Sequence, residues 1–349
     1  MNVMVASSPG KIILFGEHGV HRKQPNITTT VGLRTYCRVT ARSDDGYSFR
    51  SSERFEEGSR ADLLAYKARI DGLREAKALD EIASLARDFY STARYVLANF
   101  VSQVGGPGLD AQWRSEMPIG SGLGSGAAAS SSMVRAAYGV CAIEPSVDDV
   151  IFMAWQGDVI AHGGYGSSLD SSTVNLGGLI RYSLEDKAQR LPYQVSLPLV
   201  IGDTLVEHST SKVNTHIRLW LEEQPARMHI FHDMGYLLEQ FIPALQRADL
   251  PTIGHLFNLH QLLQEKMGTS IPESERLIEA ALGAGALGAK ISGSGGGGII
   301  IALAQPGQQD KIATAIDSAG GRSYIVSTGA PPVRVEPVEA WDAQPVRQR

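Results

Sequence analysis

Glycine clusters constrain the fold of this chain more than any other feature of its sequence. Of the 349 residues 37 are glycine, more than the roughly 7% that is usual in proteins, and many lie in residues 120–126, 163–166 and 293–298. Glycine is unfavourable inside helices and strands, so each cluster marks a sharp turn or a close approach of the backbone to another group. Any one cluster could be an ordinary loop. Two of them adjoin apolar stretches of helix or strand character, which favours a ligand site.

Composition excludes several classes of protein. The chain is 43% hydrophobic and 20% charged, so it can bury a core and is not a disordered sequence. Its 37 acidic and 32 basic residues give a net charge of −5, which argues against a broad basic surface for nucleic acid. Cys37 and Cys141 have no metal-binding spacing, and no segment reaches the roughly 18 apolar residues of a membrane span. We therefore expect a soluble, cytoplasmic protein with no nucleic-acid or membrane partner.

Hydrophobic periodicity predicts an α+β fold with strands and helices in both halves of the chain. Residues 3–7 predict a strand that is broken at Pro9-Gly10, and apolar residues that recur between Ile82 and Phe100 predict one long amphipathic helix. The polar stretch near residue 185 separates the halves, so we place one domain at 1–185 and a second at 186–335. The polar, proline-containing sequence from Pro331 onward predicts a loosely held end, including a tail at 336–349.

The first glycine cluster has the composition of an anion site. It runs from Pro118 to Gly126 and leads into a small-residue segment, 127–138, that predicts a helix. The first amide N–H groups of a helix are unpaired, and a glycine-rich entry lets an anion approach them closely. Polyphosphate is the natural candidate. The cluster matches neither the Walker A pattern nor the GxGxxG dinucleotide pattern, so by itself it indicates phosphate binding and no particular reaction.

Three segments in order resemble the motifs of the GHMP small-molecule kinases. They are Ser8-Pro-Gly-Lys-Ile-Ile-Leu-Phe-Gly-Glu-His18, Pro118-Ile-Gly-Ser-Gly-Leu-Gly-Ser125 and Lys290-Ile-Ser-Gly-Ser-Gly-Gly-Gly-Gly298. Leu33-Arg-Thr-Tyr36 and His162-Gly-Gly-Tyr-Gly-Ser-Ser-Leu-Asp170 add to a likeness that spans roughly residues 5–330 and is greatest to the branch that phosphorylates mevalonate.

This resemblance implies a two-domain fold, with an N-terminal half like ribosomal protein S5 domain 2 and a ferredoxin-like C-terminal half. It also implies ATP between the halves and transfer of its γ-phosphoryl group to the primary hydroxyl of a small alcohol, with mevalonate as the first candidate. We keep a homodimer as a candidate assembly, because the sequence does not fix the oligomeric state.

The resemblance assigns the reaction to a lysine and a carboxylate. Lys11 would pair with Asp170 and stabilise the attacking alkoxide, and Asp170 would either accept the proton of the substrate hydroxyl or orient that hydroxyl. Without the motifs, Lys11 could be a surface residue at a strand end and Asp170 a turn-forming aspartate in a stretch too rich in glycine to be helical. The residues expected to bind the nucleotide are Pro118, Gly120, Ser121, Gly122, Leu123, Gly124, Ser125 and Gly126.

Further residues are expected to contact the substrate. By resemblance these are Glu17, His18, Gly293, Ser294 and Gly295. A histidine beside a glutamate can equally form a structural hydrogen-bonding pair. The cluster at residues 293–298, called the second cluster from here on, can equally be a tight hairpin, although four consecutive glycines are more than a hairpin requires.

The expected Mg²⁺ site departs from the family pattern. Mg²⁺ prefers oxygen ligands and bridges substrate phosphates, and we expect Ser125 and Asp158 to hold it. The family usually has a second serine where this chain has Gly126, and a glutamate where it has Asp158. The missing hydroxyl could come from Ser125, from Ser130 or beyond, or from water. These departures leave two alternatives open, a GHMP kinase for a sugar, phosphomevalonate or another alcohol, and a non-catalytic ligand sensor.

Overall fold

The computed structural model describes residues 2–343 except 53, 119, 165, 208 and 209. Its strands are β1 Val3–Phe15, β2 Asn26–Ala41, β3 Tyr47–Ser51, β4 Arg54–Gly58, β5 Leu109–Ser115, β6 Leu179–Ser183, β7 Lys187–Arg190, β8 Pro198–Asp203, β9 Gly288–Ser292, β10 Ile299–Leu303, β11 Arg322–Ser327 and β12 Arg334–Glu336. Its α-helices are α1 Arg60–Glu75, α2 Leu79–Leu85, α3 Ser91–Gln103, α4 Ser125–Val140, α5 Val147–Ala161, α6 Leu169–Leu176, α7 Thr210–Glu223, α8 His229–Gln246, α9 Leu250–Lys266, α10 Pro272–Gly283 and α11 Gln309–Ser318. The predicted α+β pattern, with strands and helices in each half, is confirmed.

The first sheet has the order β12-β1-β2-β5-β3-β4, and the β6–β7 hairpin pairs with the N-terminal end of β2. Strand β1 continues through Pro9-Gly10, so the predicted break there is wrong. The pairing with β2 shifts register between Pro9 and Gly10, and such a bulge accommodates a proline within a strand. A side chain at Gly10 would lie 2.7 Å from the sulfur of Met117. The bulge therefore brings β1 close to the segment that enters the first glycine cluster.

Helices α4, α5 and α3 pack beside this sheet around a core that contains Cys37, Phe49 and Phe100. The predicted long helix is wrong, because residues 86–90 form a turn between α2 and α3. Asp88 Oδ1 accepts a hydrogen bond from the backbone amide of Tyr90, 3.2 Å away, and the Tyr90 ring packs on Phe49. A side chain that bonds the nearby backbone favours a turn over continued helix. The apolar residues keep their helical spacing across this turn, so the spacing alone did not reveal where the helix ends.

The second sheet is antiparallel, with the order β11-β8-β10-β9. Alternate residues of β10 face opposite sides, as strand geometry requires. Ile300 faces a core shared with α10 and α11, whereas Ile299 and Ile301 face a core that also contains Leu123 and β1 residues such as Leu14. The core that contains Leu14, Leu123 and Ile299 joins the two halves of the molecule and fixes the glycine clusters relative to each other.

The C-terminal segment returns to the first sheet. Strand β12 pairs with β1, and Trp341 is buried with the guanidinium groups of both Arg38 and Arg114 close to its ring. The prediction of a loosely held end is therefore wrong for residues 331–343, while residues 344–349 lie outside the described part. The buried guanidinium of Arg34 donates to the carbonyls of Pro331 and Pro332, which anchors the segment.

The predicted domain boundary after residue 185 falls within the turn of the β6–β7 hairpin, and it stays a prediction. Within the described residues, no helix combines the length and the apolar character that crossing a membrane requires.

Candidate active site

The first glycine cluster leads directly into the N-terminus of α4. Gly120, Gly122 and Gly124 all have positive φ, between 69° and 89°, a region that side chains other than glycine rarely adopt. Gly124 precedes the helix and has no side chain to cap the first amides, and among the described residues a Cβ at Gly120 or Gly126 would meet no atom within 4 Å beyond its own chain neighbours and helix backbone. The cluster is therefore shaped so that a bulky anion can reach the helix N-terminus.

Lys11 and Asp170 meet beside this cluster. Lys11 Nζ lies 2.8 Å from Asp170 Oδ1, and the backbone amide of Lys11 donates to the carbonyl of Leu123 at 2.8 Å. A Cβ at Gly124 would lie 3.2 Å from Lys11 Cβ and 3.8 Å from Asp170 Oδ2. The Lys11 side chain is 5% exposed, whereas that of Asp170 is 26% exposed. An incoming hydroxyl could thus reach the carboxylate while the ammonium stays behind it.

Asp170 lies in the first turn of α6, so the prediction that its surroundings are not helical is wrong. The glycines of that segment all precede Leu169, and α6 itself contains none. Polar contacts hold the helix. Thr173 bonds the hydroxyl of Thr28 on β2 at 2.7 Å, and Asn175 donates to Ser131 on α4 at 2.8 Å. These bonds fix Asp170 relative to the helix that would bind phosphate.

Asp158 is buried on α5 close to the Lys11–Asp170 pair. Its Oδ2 accepts a hydrogen bond from Ser171 at 2.5 Å. Burial and the negative charge of Asp170 raise the pKa of Asp158 to about 7. Within the described part of the chain no three histidine, cysteine or acidic side chains group into a metal cluster. Mg²⁺ needs only one or two carboxylates when substrate phosphates and water complete its coordination, so two neighbouring carboxylates fit the ion.

Two serines that could add a metal ligand lie on α4. Ser125 is its first residue and is half-buried. Ser130 is buried and packs on α5, since its Oγ would be 2.6 Å from a Cβ at Gly157, the residue before Asp158. Both serines thus remain candidates for the hydroxyl that Gly126 lacks.

Glu17 and His18 lie at the contact between the two halves. The Glu17 side chain has no exposed surface and accepts a hydrogen bond from the ammonium of Lys290. The prediction that Glu17 contacts the substrate does not match this complete burial. His18 is half-buried, with its Nε2 2.9 Å from the carbonyl oxygen of Ser294. Burial lowers the pKa of His18 to about 4, so at neutral pH it is an uncharged donor beside the second cluster.

The second glycine cluster connects β9 to β10, where Ser292 pairs with Ile299, so it is a hairpin loop. Gly293 and residues 295–298 have positive φ. The amide of Gly296 donates to the carbonyl of Thr269 at 2.8 Å, and a Cβ at Gly295 would lie 2.4 Å from that same oxygen. Ser294 Oγ lies 3.3 Å from the hydroxyl of Thr210 on α7. The structure thus places the predicted substrate residues Gly293, Ser294 and Gly295 next to His18.

The sequence did not indicate what Lys290, His260 and Arg34 do. Lys290 belongs to the third motif but lies in an apolar strand, where a buried ammonium cannot be recognised from periodicity. His260 has the spacing of an ordinary helix residue, yet it is buried 3.3 Å from Glu17. Arg34 lies in the Leu33–Tyr36 motif, which was the available signal for its importance.

Family models match both halves of the chain. The model of the GHMP kinases N terminal domain matches residues 89–178, and the model of the GHMP kinases C terminal matches residues 241–322. The first match contains the glycine cluster, α4 and Asp170, and the second contains Lys290 and the β9–β10 loop.

Whole-chain comparisons agree. The chain is 30% identical over 347 residues to the mevalonate kinase of Pyrococcus horikoshii, covering 96% of this chain and 98% of that protein. It is 31% identical over 351 residues to the mevalonate kinase of Thermococcus gammatolerans, with coverage of 96% and 99%. The crystal structure of L. major mevalonate kinase in complex with R-mevalonate superposes with a TM-score of 0.74 at 24% identity, covering 95% of this chain and 96% of that one. The predicted two-domain fold is confirmed by these matches.

Proposed function

The chain belongs to the GHMP kinases, within the family of mevalonate kinases, and from that premise we propose that it transfers the γ-phosphoryl group of ATP to the primary hydroxyl of mevalonate, giving 5-phosphomevalonate. The single observation that carries the proposal is the 2.8 Å contact between Lys11 and Asp170 beside the open N-terminus of α4. Phosphoryl transfer requires mainly positioning and charge stabilisation, and this arrangement offers both.

Each group has a distinct part in the proposed reaction. The amides of residues 120–126 bind phosphate oxygens, and the α4 dipole favours the negative charge there. The partly exposed Asp170 binds the substrate hydroxyl and either accepts its proton or orients it. Lys11 fixes the Asp170 carboxylate and stabilises the negative charge that develops on the attacking oxygen.

Mg²⁺ fits the same region. We propose that Asp158, with Asp170 nearby and a hydroxyl from Ser125 or Ser130, would hold the ion. Bound there, Mg²⁺ would neutralise the phosphate charge. Because Asp158 and Asp170 repel each other at close range, a divalent cation would also relieve that repulsion.

The substrate is proposed to lie between the Lys11–Asp170 pair and the β9–β10 loop. His18 is the group that connects these regions, since it follows β1 and bonds Ser294. A neutral imidazole and a loop rich in backbone amides can bind a hydroxy acid by hydrogen bonds. Cytoplasmic location and a homodimer stay predictions from the sequence, and size measurement in solution would test the second.

A substrate panel tests this proposal. ADP release would be measured at fixed ATP and Mg²⁺ with mevalonate, phosphomevalonate, galactose and homoserine as acceptors. We expect ADP release that depends on added mevalonate. Turnover of another alcohol without turnover of mevalonate would replace the substrate, and nucleotide binding with no alcohol-dependent ADP release would favour a ligand sensor.

A further inference from the structure

A fully buried ion pair joins the two halves of the molecule. Glu17 directly follows the Gly16 turn at the end of β1, and Lys290 lies in the middle of β9. The Lys290 ammonium donates to Glu17 Oε1 and, at 2.6 Å, to the carbonyl of Ile291. Both side chains have no exposed surface. A lysine and a glutamate are rarely buried this completely unless they are paired, so the contact is a specific feature of the interface between the two halves.

Aromatic residues close the pair off from solvent. Lys290 Nζ lies 5.8 Å from the centre of the Phe257 ring, a distance within the range of cation–π attraction. His260 Nε2 accepts a hydrogen bond from the backbone amide of Gly16 at 3.3 Å and lies 3.3 Å from Glu17 Oε2. Since Nε2 accepts from Gly16, a neutral His260 carries its proton on Nδ1. The turn that bears Glu17 is thus held through its backbone by His260 and through the Glu17 side chain by Lys290.

Two further contacts connect β1 and the residues directly after it to β9 and the β9–β10 loop. The Ser292 hydroxyl donates to the carbonyl of Ile13 at 2.9 Å and accepts from its amide at 3.0 Å. His18 then bonds the carbonyl of Ser294. Both contacts join β1, or the residues directly after it, to β9 and the loop that carries Ser294.

The physical role of such a pair is positional. Burying two charges is unfavourable, and an apolar pair of similar volume often gives equal or greater stability. A charged hydrogen bond instead fixes distance and direction more strictly than apolar packing does. Glu17 follows the strand that carries Lys11, and Lys290 lies in the strand that leads into the loop, so a change in their separation would move one reacting region relative to the other.

We propose that Glu17 and Lys290 are positioning residues that fix the loop of residues 293–298 at a set distance from the Lys11–Asp170 pair. The proposal rests on the proposed function, because that loop is taken as the substrate side of the site. Glu17 then acts through the loop and touches no substrate.

The test compares three variants. In Glu17→Met/Lys290→Met both charges are replaced by apolar side chains of similar size, so the protein is expected to fold even where each single variant leaves one buried charge unpaired. Ser292→Ala removes the neighbouring contact with Ile13 and is the milder second variant. Arg218→Met/Glu222→Met removes an exposed ion pair on α7 and serves as the matched control.

We expect the first variant to keep a nucleotide affinity within about twofold of wild type, because the contacts of the pair are with Ile291, His260 and Phe257 rather than with residues 120–126, while kcat/KM for mevalonate falls by roughly 10–100-fold. Amide hydrogen exchange in residues 293–298 should become at least ~10-fold faster. Ser292→Ala should change both quantities in the same direction by less, and the control should change neither.

Two results would overturn the proposal. One is unchanged exchange in the loop of both the folded double variant and Ser292→Ala. The other is faster exchange with unchanged kcat/KM, which would make the pair structural only. If the wild-type protein binds nucleotide but does not phosphorylate mevalonate, the proposed function fails instead, and the same variants are then judged by loop exchange and by turnover of the alcohol that the panel identifies.

Discussion

The glycine clusters at residues 120–126 and 293–298 contain the same residue type but differ in the space around it. In residues 120–126, positive φ angles shape a loop in which a Cβ at Gly120 or Gly126 would have no contact within 4 Å with other parts of the described structure. In residues 293–298, a Cβ at Gly295 would lie 2.4 Å from a backbone oxygen. The first cluster leaves space for a ligand, whereas the second lets two parts of the protein pack together. Glycine content alone does not distinguish these cases, but the space around each glycine does.

The ion pairs beside the clusters differ in the same way. Lys11–Asp170 adjoins the first cluster and includes a carboxylate with a 26% exposed side chain. Glu17–Lys290 leads into the second cluster and is completely buried. An accessible carboxylate can exchange partners during a reaction, and a sealed pair can only hold its surroundings in place. We therefore assign chemistry to the first pair and positioning to the second.

The largest effect is expected from Asp170→Asn. If the first cluster is the reaction site, removing this charge should lower kcat by roughly 10²–10⁴-fold, since the substrate hydroxyl loses its proton acceptor or its orienting group. Single-turnover phosphoryl transfer would measure the effect. Asp186→Asn, which removes an exposed carboxylate from the β6–β7 hairpin, is the control. Near wild-type turnover by a folded Asp170→Asn protein would contradict the assignment.

A smaller loss is expected from Gly124→Ala. The alanine would have to adopt the φ of 69° that Gly124 has, and its Cβ would lie 3.2 Å from Lys11 Cβ. It should lower kcat/KM for ATP by roughly 10²-fold, because displacement of the loop moves both the amides and Lys11. Gly72→Ala lies in α1 with no atom within 4 Å of the added carbon, so it should leave activity unchanged. Equal kinetics of the two variants would show that the first cluster tolerates a side chain.

Part of this site could be predicted because its residues lie in short motifs. Glycines before a small-residue helix are visible in the sequence, and the resemblance to the GHMP kinases implied the contact between Lys11 and Asp170. The α+β pattern followed from periodicity in the same way. Residues 293–298 form a hairpin loop that contains more glycine than a simple hairpin needs, and for Gly295 the close approach of Thr269 supplies the physical reason.

The remainder depends on contacts between distant residues. Lys290 lies in an otherwise apolar strand, and its partner follows a different strand, so no local pattern reveals the buried pair. Trp341 is one aromatic residue in a polar segment, and that segment is held by contacts with distant residues, namely the two arginines that contact Trp341, the bonds from Arg34 and the pairing of β12 with β1. The turn at residues 86–90 interrupts a continuous helical periodicity because Asp88 bonds the backbone.

Two alanine variants in the second cluster test whether its glycines allow close packing against the rest of the protein. Gly293→Ala and Gly295→Ala both require positive φ, but only the second places its Cβ against the Thr269 carbonyl. Gly295→Ala should therefore lower the free energy of unfolding by about 1–2 kcal/mol more than Gly293→Ala does, because packed backbone must move. Urea unfolding of both proteins measures the difference. Equal stability would mean that this loop yields easily and is not a packing site.

The smallest effect concerns how the free energy of unfolding depends on pH through the buried residues around Glu17 and Lys290. Burial lowers the pKa of His260 well below its usual range, and the charge of Lys290 adds to this. As the pH falls below about 6.5, the unfolded chain takes up a proton at this histidine that the folded protein does not, so the free energy of unfolding should decrease by at most about 1.4 kcal/mol per pH unit. His260→Gln should reduce that slope, measured by urea unfolding between pH 7.5 and 5.5, whereas His255→Gln, an exposed position on the same helix, should retain it. The other titrating groups of the region, among them Glu17 and His18, are common to all three proteins, and the difference in slope therefore isolates His260. A His260→Gln protein with the wild-type slope would mean that the interface admits a proton or water, and the contrast between a sealed pair and an accessible one would no longer hold.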